Sequence, residues 1–227
     1  MGCRDGLETL HYDRNSYQVL YCSRHTKEFA MVRYRPGHKE ESRAKIVAAA
    51  GRGFRKQGYG GIGVDGLASE AGVTHGAFYG HFGSKADAFQ AAVVTGLEEL
   101  RDAVVALRAE HGTEWVAVFV TFYLGYKRTC ELAEACTLPS LSAEVERAEP
   151  ATRVAYQAAL ERVVEAVAEG LSGGTKAQRK ARAWALLSTL AGGVTMARAV
   201  ADQKAAKHIA AAVQCAALAI ANEHGTE

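Results

Sequence analysis

The sequence predicts an all-α protein, and three observations carry that reading. Apolar residues recur at helical spacing from about residue 39 onward. Only three prolines occur in 227 residues, so long helices meet few interruptions. The breaks between periodic stretches hold glycines and Ser/Thr caps, and no alternating pattern convincing as a sheet occurs. About nine helices are expected on this pattern, a short-helix module first and a larger helical body after it.

Residues 1–34 form an extension of little pattern. Tyr17, Val19 and Tyr21 alternate there with Gln18 and Leu20 in the manner of a short strand, and Met31 opens a stretch that reads like an N-terminus of its own. Pro36-Gly37 is a breaker. The first helix carries the stripe Ile46, Val47, Ala50 and Phe54, and should stop at Gly58. The stretch GYGGIG, residues 58–63, matches G-x-G-x-x-G in letter. It follows a helix rather than a strand, so it reads as an inter-helix turn and not a dinucleotide site. A second helix runs over Val64–Ala71 with Val64, Leu67 and Ala68 inward, and Gly72 ends it. Thr74 is the N-cap of a third helix that extends through Phe82. After Gly83, Ser84 with Asp87 opens a long fourth helix in capping-box fashion. Its stripe is Phe89, Val93, Leu97, Leu100 and Val104.

In the body, Trp115, Phe119, Phe122, Tyr123 and Tyr126 share one helix face, and Thr129–Glu149 is less regular around Pro139. Pro150 suits the first turn of a helix bearing Tyr156, Leu160, Val163, Val167 and Leu171. Ser172-Gly173-Gly174 is a turn. Thr175 with Gln178 is a further capping box, opening a helix with Trp184, Leu187, Ala191 and Val194. The last helix carries Ile209, Val213, Ala216 and Ile220.

Composition excludes several classes. A chain with 48% hydrophobic and 23% charged residues is globular, not collagen-like or wholly disordered. No run of about 18 apolar residues predicts a membrane span, and no apolar h-region predicts a secretory signal. Five cysteines without a C-x-x-C pair predict neither a disulfide framework nor a zinc ribbon, so a reducing cytoplasm is expected. No P-loop, H-E-x-x-H or G-x-S-x-G motif occurs, which argues against an enzyme. Charge is uneven. Residues 35–85 hold eight Lys/Arg (Arg35, Lys39, Arg43, Lys45, Arg52, Arg55, Lys56, Lys85) against four acids (Glu40, Glu41, Asp65, Glu70). The rest of the chain is slightly acidic from residue 86 onward, so the basic part is a candidate phosphate-facing surface.

The two short helices joined by Ala71-Gly72-Val73-Thr74 have helix-turn-helix spacing. The second exposes Thr74, His75, Tyr79 and His81, while Phe78 and Phe82 face the core at i and i+4. Such a helix can place its N-terminal residues at base edges in the major groove.

The stretch Ile46–Phe89 resembles the DNA-binding domain of the TetR/AcrR family of transcriptional regulators. The matching residues are Ile46-Val47-Ala48-Ala49-Ala50, Phe54, Gly58-Tyr59, Val64, Leu67-Ala68, Ala71-Gly72-Val73, Gly76-Ala77-Phe78-Tyr79, His81-Phe82, Ser84-Lys85 and Phe89. The resemblance implies a DNA-binding domain over 35–85 and a helical ligand-binding and dimerisation domain over 86–227. It implies a homodimer on a palindromic double-stranded operator, most simply a repressor released by a small hydrophobic or aromatic effector. It assigns base and phosphate contacts to Thr74, His75, Gly76, Tyr79 and His81, and a phosphate grip to Lys85. The backbone at Gly63 and Val64 takes a role that a hydroxyl usually fills, and Arg35, His38, Lys39 and Arg43 form a basic arm. Gly76 and Gly80 cost the recognition helix up to about 1 kcal/mol each relative to Ala, which predicts fewer side-chain contacts to DNA.

In the body, Trp115, Phe119, Phe122, Tyr126, Tyr156 and Trp184 are candidates for lining an effector pocket, with a packed core as the plainer alternative. Trp184, Leu187, Ala191, Val194, Ile209, Val213 and Ala217 are the candidate dimer face, the small residues among them allowing close helix approach. Cys130 and Cys136, near Lys127 and Arg128, are candidates for a thiol-based redox or electrophile sensor, the main rival to ligand sensing. An all-α enzyme or carrier with an appended helix-turn-helix is the remote rival. No metal or cofactor is expected, because His75 and His81 at i, i+6 lie on different helix faces.

Overall fold

A computed structural model describes residues 38–223, and within them every regular element is helical. The order is α1 (His38–Gly61), α2 (Val64–Ala71), α3 (His75–Tyr79), α4 (Lys85–His111), α5 (Trp115–Thr129), α6 (Thr137–Glu146), α7 (Pro150–Gly170), α8 (Lys176–Ala199) and α9 (Gln203–Asn222). Short 3₁₀ turns precede α5 (Gly112–Glu114) and α6 (Leu132–Glu134). The segment around Tyr17–Tyr21 and the basic-arm residue Arg35 lie outside the described residues.

The punctuation follows from local chemistry. Regular helix in α1 ends at Gly58, whose φ of 75° only glycine adopts without strain. Ser84 Oγ accepts from the Asp87 N–H at 3.0 Å and starts α4. Thr175 and Gln178 form the reciprocal capping box that starts α8. Pro150 sits in the first turn of α7, where its missing N–H would be unbonded anyway. The stretch that the sequence leaves irregular, Thr129–Glu149, holds a regular helix, α6. Its Pro139 also falls within the first turn and costs little there.

The first three helices close over a core of Ile46, Val47, Ala50, Phe54, Leu67, Ala68, Phe78 and Phe82. Phe89 and Val93 of α4 complete it, as do Leu141 and Val145 of α6. Phe54 meets Phe89 edge-on with ring centroids 5.1 Å apart, and Tyr59 meets the same ring at 5.0 Å. Such pairs add about 0.5–1.5 kcal/mol each beyond area burial. The packing of the module therefore does not end at residue 85. It runs on into α4 and α6, so movement of those helices acts on the module core directly.

In the body, α4 lies along α7, and α8 packs on α7, α5 and α9. At Gly193, α8 and α9 approach closely. A Cβ there would stand 2.6 Å from Cγ1 of Val213, so a larger residue would drive the two helices apart. Arg182 is buried, and its guanidinium donates to the carbonyls of Ala221, Ser172 and Gly173, pinning the end of α9 to the turn before α8. α9 is long and apolar enough to cross a membrane by length and composition, with a mean hydropathy of 1.2. It holds no run of about 18 apolar residues, since Lys204, Lys207, His208 and Gln214 interrupt it. Its hydropathy comes from alanine content rather than bulky side chains, and most of the helix surface is uncovered in the single chain.

Candidate nucleic-acid interface

The helix-turn-helix is assembled by its turn. Gly72 sits at φ 66°, ψ 31°, the left-handed conformation that a side chain disfavours. The Val73 N–H returns to the Ala68 carbonyl at 2.9 Å and the Gly72 N–H to Ser69 at 3.0 Å, closing the end of α2. Thr74 then caps α3, its Oγ1 accepting from the Ala77 N–H at 3.1 Å. Phe78 is fully buried beneath the helix, and Phe82 is buried after it. With those two rings inward, Thr74, His75, Gly76, Ala77 and Tyr79 are left exposed in a row.

The third helix is shorter than the sequence suggests. It spans His75–Tyr79 instead of continuing through Phe82, because the chain leaves the helix at Gly80, whose N–H returns to the Gly76 carbonyl while those of His81 and Phe82 return to Phe78. Gly80 is therefore a cap residue, and the interior cost expected for it does not arise.

The sequence-derived DNA residues fall into five groups. His75 and Tyr79 are exposed and touch each other, with ring centroids 5.0 Å apart. Lys39 and Arg43 project from exposed positions of α1, Arg43 lying 5.0 Å over the Phe82 ring. Lys85 opens α4 with its ammonium 4.4 Å above the Tyr59 ring. Both stacked cations are held by an aromatic face. Gly63 is the N-cap of α2 and makes no side-chain cap bond, and Val64 beside it is half-buried on the module core. His81 is half-buried, and its Nδ1 is buried with no hydrogen-bond partner among the described residues.

Two polar links were missed by sequence reasoning. Asp65, in the first turn of α2, lies 2.5 Å from Nδ1 of His75. Arg55 of α1 donates from Nε to the Ala133 carbonyl at 2.9 Å, tying the module to the segment before α6. Neither has a periodicity signal, because each pairs residues that only the fold brings together. An acid in the first turn of α2 was visible, but it reads as ordinary helix-dipole pairing.

The aromatic candidates in the body do not gather round one void. Trp115 and Phe119 are 2% and 1% exposed, so no water-sized space adjoins them. Trp115 also donates from its indole to the Gly170 carbonyl at 3.0 Å. Phe122 is buried as well. These three are packed core, which corrects the pocket expectation for them. Tyr126 is exposed, and its hydroxyl donates to Glu134 at 2.7 Å, which pushes its pKa up to about 12. Trp184 faces outward. Tyr156 lines an open cleft of about 550 Å³ between α6 and the start of α7, with Val145, Arg153 and Gln157. Its hydroxyl is 2.7 Å from Ser142 Oγ.

Of the two thiols, Cys136 is buried, and burial pushes its pKa up despite the nearby Tyr123 hydroxyl, the Leu138 amide and the Lys127 and Arg55 charges. That corrects its candidacy as a reactive thiolate. Cys130 is half-buried with Sγ 3.3 Å from the Arg198 guanidinium, which also donates to the Cys130 and Lys127 carbonyls. The dimer candidates divide too. Leu187, Val194 and Ala217 are buried inside the chain and unavailable to a partner, while Trp184 is exposed and Ala191, Ile209 and Val213 are half-buried. Among the described residues no three His, Cys, Asp or Glu side chains group as metal ligands.

Comparison with known proteins bears on this geometry. The family of bacterial regulatory proteins described as the tetR family matches residues 46–92, which span the last part of α1 through the start of α4. Residues 46–92 thus carry the DNA-binding module of the tetR family. It is 42% identical over 72 residues to the HTH-type transcriptional regulator TtgR of Pseudomonas putida, covering 32% of this chain and 34% of that protein. The match thus spans about a third of the curated relative. The TetR fold extends further. The reduced form of E. coli NemR superposes with a TM-score of 0.64 at 18% identity, covering 76% of this chain and 95% of that one. A TetR-family regulator from Cytophaga hutchinsonii gives 0.64 at 16% identity, covering 84% and 100%. The family model thus matches the helix-turn-helix and its flanks, and the likeness over the rest of the chain is one of fold.

Proposed function

We propose that the protein is a ligand-responsive repressor that binds operator DNA as a homodimer in the cytoplasm, without catalytic activity. The observation that carries the DNA reading is the exposed row Thr74, His75, Gly76, Ala77 and Tyr79, set by the Gly72 turn on a module that also exposes Lys39 and Arg43 and stacks Lys85 on Tyr59. Base edges are met by α3 and phosphates by these cations. A dimer is supported by two exposed stripes at helical spacing, Trp184, Ser188, Gly192 and Met196 on α8 and His208, Ala212 and Ala216 on α9. Two copies joined there would present two recognition helices to successive major grooves, about 34–36 Å apart.

The effector reading is supported by the cleft at Tyr156, which borders Val145, a member of the module core. A small organic effector seated there would bias α6 and α7, and through Val145 and the Arg55–Ala133 bond the placement of α1. It can do so only by binding one arrangement more tightly than the other. A second reading, thiol sensing, rests on Cys130 beside Arg198, since a modified sulfur would disturb that clamp.

Gel-shift titration on the DNA flanking the coding region, at two salt concentrations, tests the main reading. Binding that resists competitor DNA and falls steeply with salt is expected. Weak binding blind to sequence would overturn it. Induction retained after Cys130→Ser would remove the second reading.

A further inference from the structure

Asp65 and His75 stand on either side of the helix-turn-helix turn, and their Oδ1 and Nδ1 atoms are 2.5 Å apart. An ionised carboxylate only accepts hydrogen bonds, so Nδ1 carries the proton. In the neutral imidazole that leaves Nε2 as an acceptor. The ring is held on a second side by Tyr79, yet 56% of the His75 side chain remains exposed on the open face of α3. Its hydrogen bonding among the described residues runs through Nδ1. Around it the face is poor in readers. Gly76 and Ala77 bring no polar side chain, and the Thr74 hydroxyl already accepts from the Ala77 N–H. The hydrogen-bonding character of His75 therefore weighs heavily in what the helix can recognise.

We propose that Asp65 is a positioning residue that sets the tautomer of His75, so that Nε2 accepts from an exocyclic amino group, cytosine N4 or adenine N6, in the major groove. Those amines are the donors of the major groove, whereas guanine N7 and O6, adenine N7 and thymine O4 only accept. An imidazole with its acceptor outward meets the amines and repels the acceptor edges. An imidazolium would do the reverse and select guanine. The inference rests on the reading that this face meets duplex DNA.

The test starts with selection from a randomised duplex library by the wild type, Asp65→Ala and His75→Ala, each as full-length protein. The wild type should enrich a half-site motif, and His75→Ala should relax it at one position by about tenfold. Asp65→Ala should relax the same position by a similar factor and leave the others unchanged. A purely structural role for Asp65 would instead weaken all positions evenly, and that outcome overturns the proposal. At the relaxed position, base analogues then separate acceptor from donor. Removing the exocyclic amine should cost the wild type about tenfold and Asp65→Ala nothing, while a 7-deazapurine should be tolerated. Sensitivity to 7-deazapurine with indifference to the amine would overturn the tautomer. A wild type that enriches no motif would defeat the DNA reading itself, and this proposal with it. A motif that ignores both residues would defeat this proposal alone.

Discussion

The helix-turn-helix module and the helical body use the same secondary structure, but their working surfaces lie in different places. In the module the proposed surface is at helix ends: the Gly72 turn, the Thr74 cap and the single exposed turn of α3. In the body any working surface lies between long helices, in what their faces bury, leave open or hold apart. Helix ends are written in local chemistry, because caps and left-handed glycines act within a few residues. Gaps between helices depend on side chains far apart in the chain. The difference teaches that a binding face built from a turn is far easier to read than one built from a void.

The largest effects should come from the two cores. Phe54→Ala and Phe119→Ala, both from almost fully buried rings, should each cost about 3–5 kcal/mol in denaturant unfolding. A cost below about 1 kcal/mol at Phe119 would mean that it lines a void after all, and would erase the contrast between the two regions. Next, Gly193→Val should cost about 1–3 kcal/mol in the same assay, because its side chain meets Val213. It should also shift the molar mass read by light scattering toward a monomer, if the α8–α9 surface joins two copies.

Gly72→Val forces a branched residue to φ 66° and should cost about 1–3 kcal/mol. Its loss of operator affinity should exceed that of any stability-matched change in the body. Smaller still, Lys85→Ala should weaken DNA binding evenly across sequences and lower the salt slope by about 1. An unchanged slope would mean that Lys85 serves only the Tyr59 ring. The finest test is chemical. Raised by burial, the Cys136 thiol should stay protonated and resist alkylation as pH climbs through the usual thiol range near about 8–9, while Cys130 labels faster throughout. Equal rates would show the Cys136 site opening readily.

Much of the fold was legible before any coordinates. The stop at Gly58, the turn at Gly72, the caps Thr74, Ser84 and Thr175, and the inward stripe Phe89–Val93–Leu97–Leu100–Val104 all stand where the pattern puts them. The exposure of His75 and Tyr79 followed from the inward pair Phe78 and Phe82. Other features were illegible for identifiable reasons. The early end of α3 depends on Gly80 serving as a cap, which helical periodicity does not distinguish from an interior position. Helix α6 was obscured by Pro139, which breaks a helix interior and is tolerated in a first turn. The aromatic stripe Trp115–Phe119–Phe122 has one pattern whether it fills a core or lines a pocket, and only the burial of each ring separates the two.

The division between chain and packing is physical. Spacing and caps along the chain were sufficient for an all-helical protein, for a helix-turn-helix over the Ala71–Thr74 turn and for the residues it turns outward. Each of those rests on contacts within one or two helical turns, whose energies depend on near neighbours alone. Long-range packing settled that Asp65 meets His75, that Arg55 bonds to Ala133, that Leu187 and Val194 face inward, and that a cleft opens at Tyr156 rather than at Trp115. Those outcomes balance crowding and hydrogen bonding among residues from ten to nearly eighty positions apart, and no local pattern encodes that balance.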